Sequence, residues 1–191
     1  MQIPAFLLIG QSNAVNLAPY LQAEITDIFG LGAPLLNAAV NGSSIASWQP
    51  GQPNYNAAVT LAKDAIDSGF KLKAVLMSHG ESDAHLPSAK MYGTDCNYML
   101  DSLRADIQQH VPMIYTQLGK KPVTPPGYAF DFWDVLRYQQ LTMRFNRPGF
   151  FMIDRSQIDI YADADPYCHD TGPALGLIAR EYGRYLEGWI K

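Results

Sequence analysis

Acyl transfer by side chains needs a hydroxyl or thiol that attacks, an imidazole that takes its proton, and N–H groups aimed where negative charge develops. This chain carries candidates for all three. An apolar run, Ile3-Pro4-Ala5-Phe6-Leu7-Leu8-Ile9, stops abruptly at Gly10-Gln11-Ser12-Asn13, so a buried strand delivers the Ser12 hydroxyl at its carboxyl end. Of the four histidines, His169 stands out, because its segment, Asp163-Ala164-Asp165-Pro166-Tyr167-Cys168-His169-Asp170, is polar and lies between the last strand-like run and a helical pattern. His110 is expected instead at a helix end, where a cation complements the dipole. For the oxyanion, Gly42 in Asn41-Gly42-Ser43-Ser44-Ile45 can present its backbone N–H with no side chain in the way. A further glycine turn, His79-Gly80-Glu81-Ser82-Asp83, adds polar groups after another apolar run.

The elements that must position these residues alternate in type. Strand-like runs are read at Ile3–Ile9, Leu35–Val40, Leu72–Ser78, Met113–Leu118 and Phe150–Ile153. Helical periodicity lies between and after them, at Ala57–Ser68 (Val59, Ala62, Ile66), at Met91–His110 (Tyr92, Cys96, Met99, Leu103, Ile107) and from about Pro173 (Ala174, Ile178, Tyr182, Tyr185, Trp189). Such alternation is the pattern of a parallel sheet covered by helices on both faces, which sends every strand exit to one edge of the sheet. The stretch Gly119–Gly127 is too rich in Pro and Gly for regular structure and reads as a loop at that same edge, with Tyr128, Phe130 and Trp133 following.

Composition bounds the partners. With 191 residues, 48% of them hydrophobic and 17% charged, the chain is expected to form one domain over residues 1–191. A net charge of -4 with scattered Lys and Arg offers no basic stripe for nucleic acid, and no apolar run is long enough to enter a membrane. The two cysteines, Cys96 and Cys168, are expected as free thiols. No basic, apolar leader opens the chain, which makes a cytoplasmic location the default expectation.

Taken in order, Gly10-Gln11-Ser12-Asn13, Gly42-Ser43-Ser44-Ile45 with Trp48-Gln49-Pro50-Gly51, His79-Gly80-Glu81-Ser82-Asp83 and a late histidine before a helix resemble the blocks of the SGNH hydrolase superfamily. More narrowly they resemble its carbohydrate O-acetylesterases, the sialate O-acetylesterase-like and acetyl xylan esterase-like enzymes. The resemblance implies an α/β, three-layer flavodoxin-like SGNH hydrolase fold with a five-stranded parallel sheet. It also implies a serine esterase that removes O-acetyl groups from a carbohydrate without metal or other cofactor. Ser12 would be the nucleophile and its N–H one oxyanion donor, Gly42 the second, and His169 the general base and then acid. His79 stands where such sequences usually carry a glutamine donor, so a neutral imidazole would take that role. Either Asp165 or a backbone carbonyl would orient His169. Gln11, Trp48 and Glu81 would contact the acetylated sugar or glycan, with acceptor choice set by residues 43–56 and 119–133.

Simpler readings accompany each residue. Ser12 can cap the following helix, Gly42 and Gly80 can serve as turn glycines, Trp48 can be a core aromatic, and Glu81 and Asp83 can hold their loop by accepting backbone N–H bonds. In an extended segment His79, Glu81, Asp83 and His85 would project to one side, a spacing suited to a metallohydrolase. A non-catalytic carbohydrate-binding module would use Trp48, Tyr55, Tyr128 and Trp133 as stacking surfaces. A turn at Gly80 would scatter the four metal-ligand candidates.

Overall fold

In the computed structural model of the chain, residues 2–85, 87–122, 130–146, 148–155, 158 and 169–190 are described. The apolar runs become five parallel strands, β1 (Pro4–Gly10), β2 (Leu35–Asn37), β3 (Lys71–Ser78), β4 (Met113–Thr116) and β5 (Phe150–Ile153). Five α-helices accompany them among the described residues, α1 (Ser12–Phe29), α2 (Pro53–Asp67), α3 (Tyr92–Ile107), α4 (Trp133–Asn146) and α5 (Gly172–Ile190).

Alternation along the strands builds two cores. Leu7 and Ile9 of β1 face one side with α2, α3 and α4, whereas Phe6 and Leu8 face the other with α1 and α5. The result is three layers, with the sheet in the middle and helices on both faces. In β3 the phase shifts once: the register passes from Ala5↔Leu72 to Phe6↔Ala74, so Lys73 is the extra residue of a bulge. Leu72 and Ala74 consequently join opposite cores.

The strand order is β2-β1-β3-β4-β5. That is the doubly wound order whose direction reverses between β1 and β3, leaving a crevice beyond their carboxyl ends. Gly10 and Ser78 are register partners at that point. The backbones are so close that a Cβ on Gly10, whose φ is 135°, would stand 2.1 Å from the Ser78 carbonyl oxygen. A side chain is sterically excluded there, which explains the glycine that precedes Gln11-Ser12.

Helix limits differ from the sequence expectation in physical detail. α2 starts earlier, at Pro53, since proline fits the first helical turn although that turn carries no apolar period. α3 ends at Ile107, where Gln108 turns left-handed with φ 54°, so His110 lies beyond the helix. β2 and β4 stop earlier than Val40 and Leu118, although Val40 N–H still reaches the Gly10 carbonyl and Gln117 N–H that of Ile153. Cys96 is a buried free thiol, while Cys168, Tyr128 and residues 123–127 lie outside the described residues.

Candidate active site

Ser12 is the first residue of α1, directly after the β1 exit. The cap position is held by Gln11, whose side chain forms no capping bond. The Ser12 hydroxyl instead faces the imidazole of His169, with Oγ 3.0 Å from Nε2. His169 arrives from the other direction, three residues before α5. A nitrogen at that distance can accept the hydroxyl proton, and the first N–H groups of α1 have no acceptor within their own helix.

Both groups line a cleft of about 650 Å³ at the β1/β3 crevice, together with Gln11, Asn16, Asn41, Gly42, Glu81, Ser82, His85 and Phe130. Gly42, with φ 67°, sits in a turn that a non-glycine residue rarely adopts. The loop that carries Gly42 is tied down from beneath. The Ser43 hydroxyl donates to the Gly10 carbonyl at 3.2 Å and accepts the indole N–H of Trp48 at 3.0 Å. Two residues on, both oxygens of Asp83 lie within 3.1 Å of the Ile45 N–H, which donates to them. Burial raises the Asp83 pKa to about 7, and the Ile45 N–H bond opposes that rise.

The residues after β3 scatter at Gly80, whose φ is 133°. His79 is buried and does not line the cleft: Nδ1 is 3.1 Å from the Tyr92 hydroxyl and 3.6 Å from Asp83. Its pKa is lowered to about 3, chiefly because burial penalises the cation. Glu81 turns the opposite way and accepts the Asn13 amide at 2.6 Å. His85 stacks on Phe130, centroid to centroid 4.1 Å. The extended arrangement that a metallohydrolase would need is therefore not formed, and among the described residues no three His, Cys, Asp or Glu converge as a metal site.

The stacking surface of a binding module is not formed by the described aromatics either. Trp48, Tyr55 and Trp133 are all buried, at 1%, 3% and 0% exposure. Trp48 thus serves the core and the Ser43 bond rather than the cleft wall. Asp165 lies outside the described residues.

Several cleft and supporting residues carried no role in the sequence reading. Asn16 and Asn41 also line the wall, and the Ser82 N–H donates to Gln11 Oε1 at 3.1 Å. Asn13, Arg155 and Asp170 are buried beside the cleft. Arg155 pairs with the Asp170 carboxylate, while burial raises the pKa of Asp170 and the guanidinium opposes that rise. Glu81 is pushed up by burial in the same way, against the Arg155 charge and the Asn13 bond. The available signals for these residues were the places of Asn13 next to Ser12 and of Asp170 next to His169 in the chain.

Residues 30–184 match the family model described as carbohydrate esterase, sialic acid-specific acetylesterase. No curated protein matches the chain by sequence. Among solved structures, a protein from Arabidopsis thaliana is similar over the full length of both chains, with a TM-score of 0.79 at 18% identity. A carbohydrate acetylesterase from Xanthomonas citri is similar at a TM-score of 0.67 and 18% identity, covering 96% of this chain and 54% of that one. A carbohydrate esterase family 3 protein from Talaromyces cellulolyticus is similar at a TM-score of 0.69 and 12% identity, over 99% and 98% of the two chains. At such identities the structural likenesses speak for the fold alone.

Proposed function

Since the chain belongs to the carbohydrate esterases of the sialic acid-specific acetylesterase family, and is thereby a carboxylic ester hydrolase, we propose that it removes O-acetyl groups from a sugar by covalent catalysis at Ser12. The observation that carries this reading is the 3.0 Å approach of His169 Nε2 to the Ser12 hydroxyl on the wall of the cleft.

The chemistry runs in two halves. Ser12 Oγ attacks the acetyl carbonyl carbon while its proton passes to His169 Nε2. Negative charge collects on the carbonyl oxygen, where the N–H groups of Ser12 and Gly42 stabilise it. On collapse the bond to the sugar oxygen breaks, and the proton on Nε2 goes to that oxygen as it leaves. Acetyl-Ser12 remains. A water then attacks the same carbonyl and gives one proton to Nε2, the Ser12 oxygen leaves with that proton, and acetic acid departs and loses its remaining acidic proton to solvent as acetate. In this reading His79 and Trp48 make no contact with substrate. The polar walls, with Asn16, Asn41 and the His85–Phe130 stack, suit a sugar ring better than a long acyl chain.

Hydrolysis of p-nitrophenyl acetate and of acetylated sugars tests the reading. Expected is turnover that survives EDTA, falls by three or more orders of magnitude in Ser12→Ala and in His169→Gln, and leaves the folded signal of both variants intact, on the order of losses typical for such groups. Turnover that persists in Ser12→Ala, or that vanishes with EDTA and returns with zinc, contradicts it.

A further inference from the structure

Ser12 and His169 are not the only neighbours their two segments make. One residue further along each, the N–H of Asp170 donates to Oδ1 of Asn13 at 3.0 Å, a second rung beside the 3.0 Å contact between Ser12 and His169. The same Asn13 side chain donates from Nδ2 to Glu81 Oε1 at 2.6 Å. It is 1% exposed, and its two partners lie 157 and 68 residues away, so these bonds are not a local helix cap. Only one amide orientation meets both demands. A backbone N–H is an obligate donor and must face the oxygen, which leaves the NH₂ group for a carboxyl oxygen that accepts it.

From this we infer that Asn13 is a positioning residue for the base: it clamps the peptide unit that follows His169 and thereby sets the imidazole against Ser12. The inference rests on the assignment of Ser12 and His169 made above. The planar peptide between His169 and Asp170 cannot swing while its N–H is held, so the main chain leaving His169 has one direction. Glu81 fixes the clamp from the β3 side, and Arg155, beyond β5, holds the Asp170 carboxylate from the other. Three segments that leave β1, β3 and β5 are joined through one buried amide. A helix-cap residue could be exchanged for any residue that satisfies the first turn, whereas this role demands a donor and an acceptor on one short side chain.

The test reverses one hydrogen bond. In Asn13→Asp the oxygen facing Asp170 is kept, but the Glu81 carboxyl meets a second carboxyl in place of a donor. In the double variant Asn13→Asp with Glu81→Gln, the introduced glutamine amide can donate to the new carboxylate and restore the clamp with the charge of the pair unchanged. Expected is a loss of about 10- to 100-fold in kcat for Asn13→Asp, with KM within about twofold, the range that small misplacements of a catalytic group produce. The double variant is expected to recover to within about threefold of Glu81→Gln alone, the control that carries whatever Glu81 itself contributes at the cleft wall. Folding is followed by circular dichroism alongside. Wild-type kcat in folded Asn13→Asp, or no recovery in a folded double variant, overturns the inference. Hydrogen exchange at the Asp170 amide of the wild-type protein needs no variant: protection comparable to that of the β3 amides is expected, and rapid exchange overturns it. Ser12→Ala is measured in parallel. If it stays active the nucleophile assignment fails, whereas an inactive Ser12→Ala beside a fully active Asn13→Asp removes the clamp alone.

Discussion

His79 and Asp83 illustrate how neighbouring residues of one motif come to do opposite things. Burial keeps His79 neutral, its pKa lowered from 6.5 to about 3. Between those values the unfolded chain binds a proton that the folded chain refuses, so His79 contributes fully above about pH 6.5 and costs stability as pH falls toward 3. Asp83, raised from 3.8 to about 7, has the reverse sign: the folded chain keeps a proton that the unfolded chain loses, and stability declines as pH rises through that window. His79→Gln removes only the first effect. Urea denaturation at intervals between pH 4 and 7.5 should show the variant gaining on wild type as pH falls, and a difference independent of pH would contradict the burial argument. The strand-end motifs made Ser12, Gln11, Gly42, Glu81 and His169 legible as neighbours, and all five line one cleft. They did not reveal that His79 points away, because the side of the chain a residue faces before a glycine turn depends on that turn's φ and on the packing of Tyr92. The Asn13 clamp had no local signature, since its partners are far apart in sequence.

At the level of elements, the cleft depends on loops made rigid from below. The Gly42 loop hangs on Ser43, which bonds the Gly10 carbonyl of β1 and the Trp48 indole within the loop, and on Asp83, which reaches Ile45 from the segment after β3. Trp48→Phe keeps most of the buried ring but deletes the indole donor, leaving the Ser43 oxygen one partner short. Expected are a stability loss of about 1 kcal/mol by thermal denaturation and a several-fold drop in kcat, in line with the cost of one buried neutral hydrogen bond. An unchanged kcat in a destabilised protein would mean that Gly42 is positioned by other contacts. All five strands could be read from apolar runs, since strands buried on both faces are nearly continuous in hydrophobicity. The helices were less complete: α1 was apparent only as the helix after Ser12, although its apolar residues keep helical spacing through Pro19, and α4 had no reading of its own beyond Trp133 following the Pro-rich loop.

For the whole molecule, the strand order decides where the cleft opens, and the α1/α5 layer packs behind the segments that carry Ser12 and His169. α1 begins with Ser12 and α5 follows His169, and the two helices pack together through Leu17, Leu21, Ile25, Ile178, Tyr182 and Leu186. The Tyr182 hydroxyl also donates to the Met77 carbonyl of β3 at 2.6 Å. Leu186→Ala, fully buried in this layer, is expected to cost about 2–5 kcal/mol by chemical denaturation while the folded fraction at 25 °C keeps its kcat/KM, as for a cavity remote from the chemistry. The layering was readable from the alternation of elements. The crossing point between β1 and β3 follows from the order in which the strands pair, which no local pattern encodes.

The most direct test is where the acyl group goes. Rapid quenching of the enzyme with p-nitrophenyl acetate, followed by peptide mapping in a mass spectrometer, should find one acetyl group on Ser12, formed faster than turnover and absent from His169→Gln. An acetyl group carried by another residue, with steady turnover in Ser12→Ala, would contradict it.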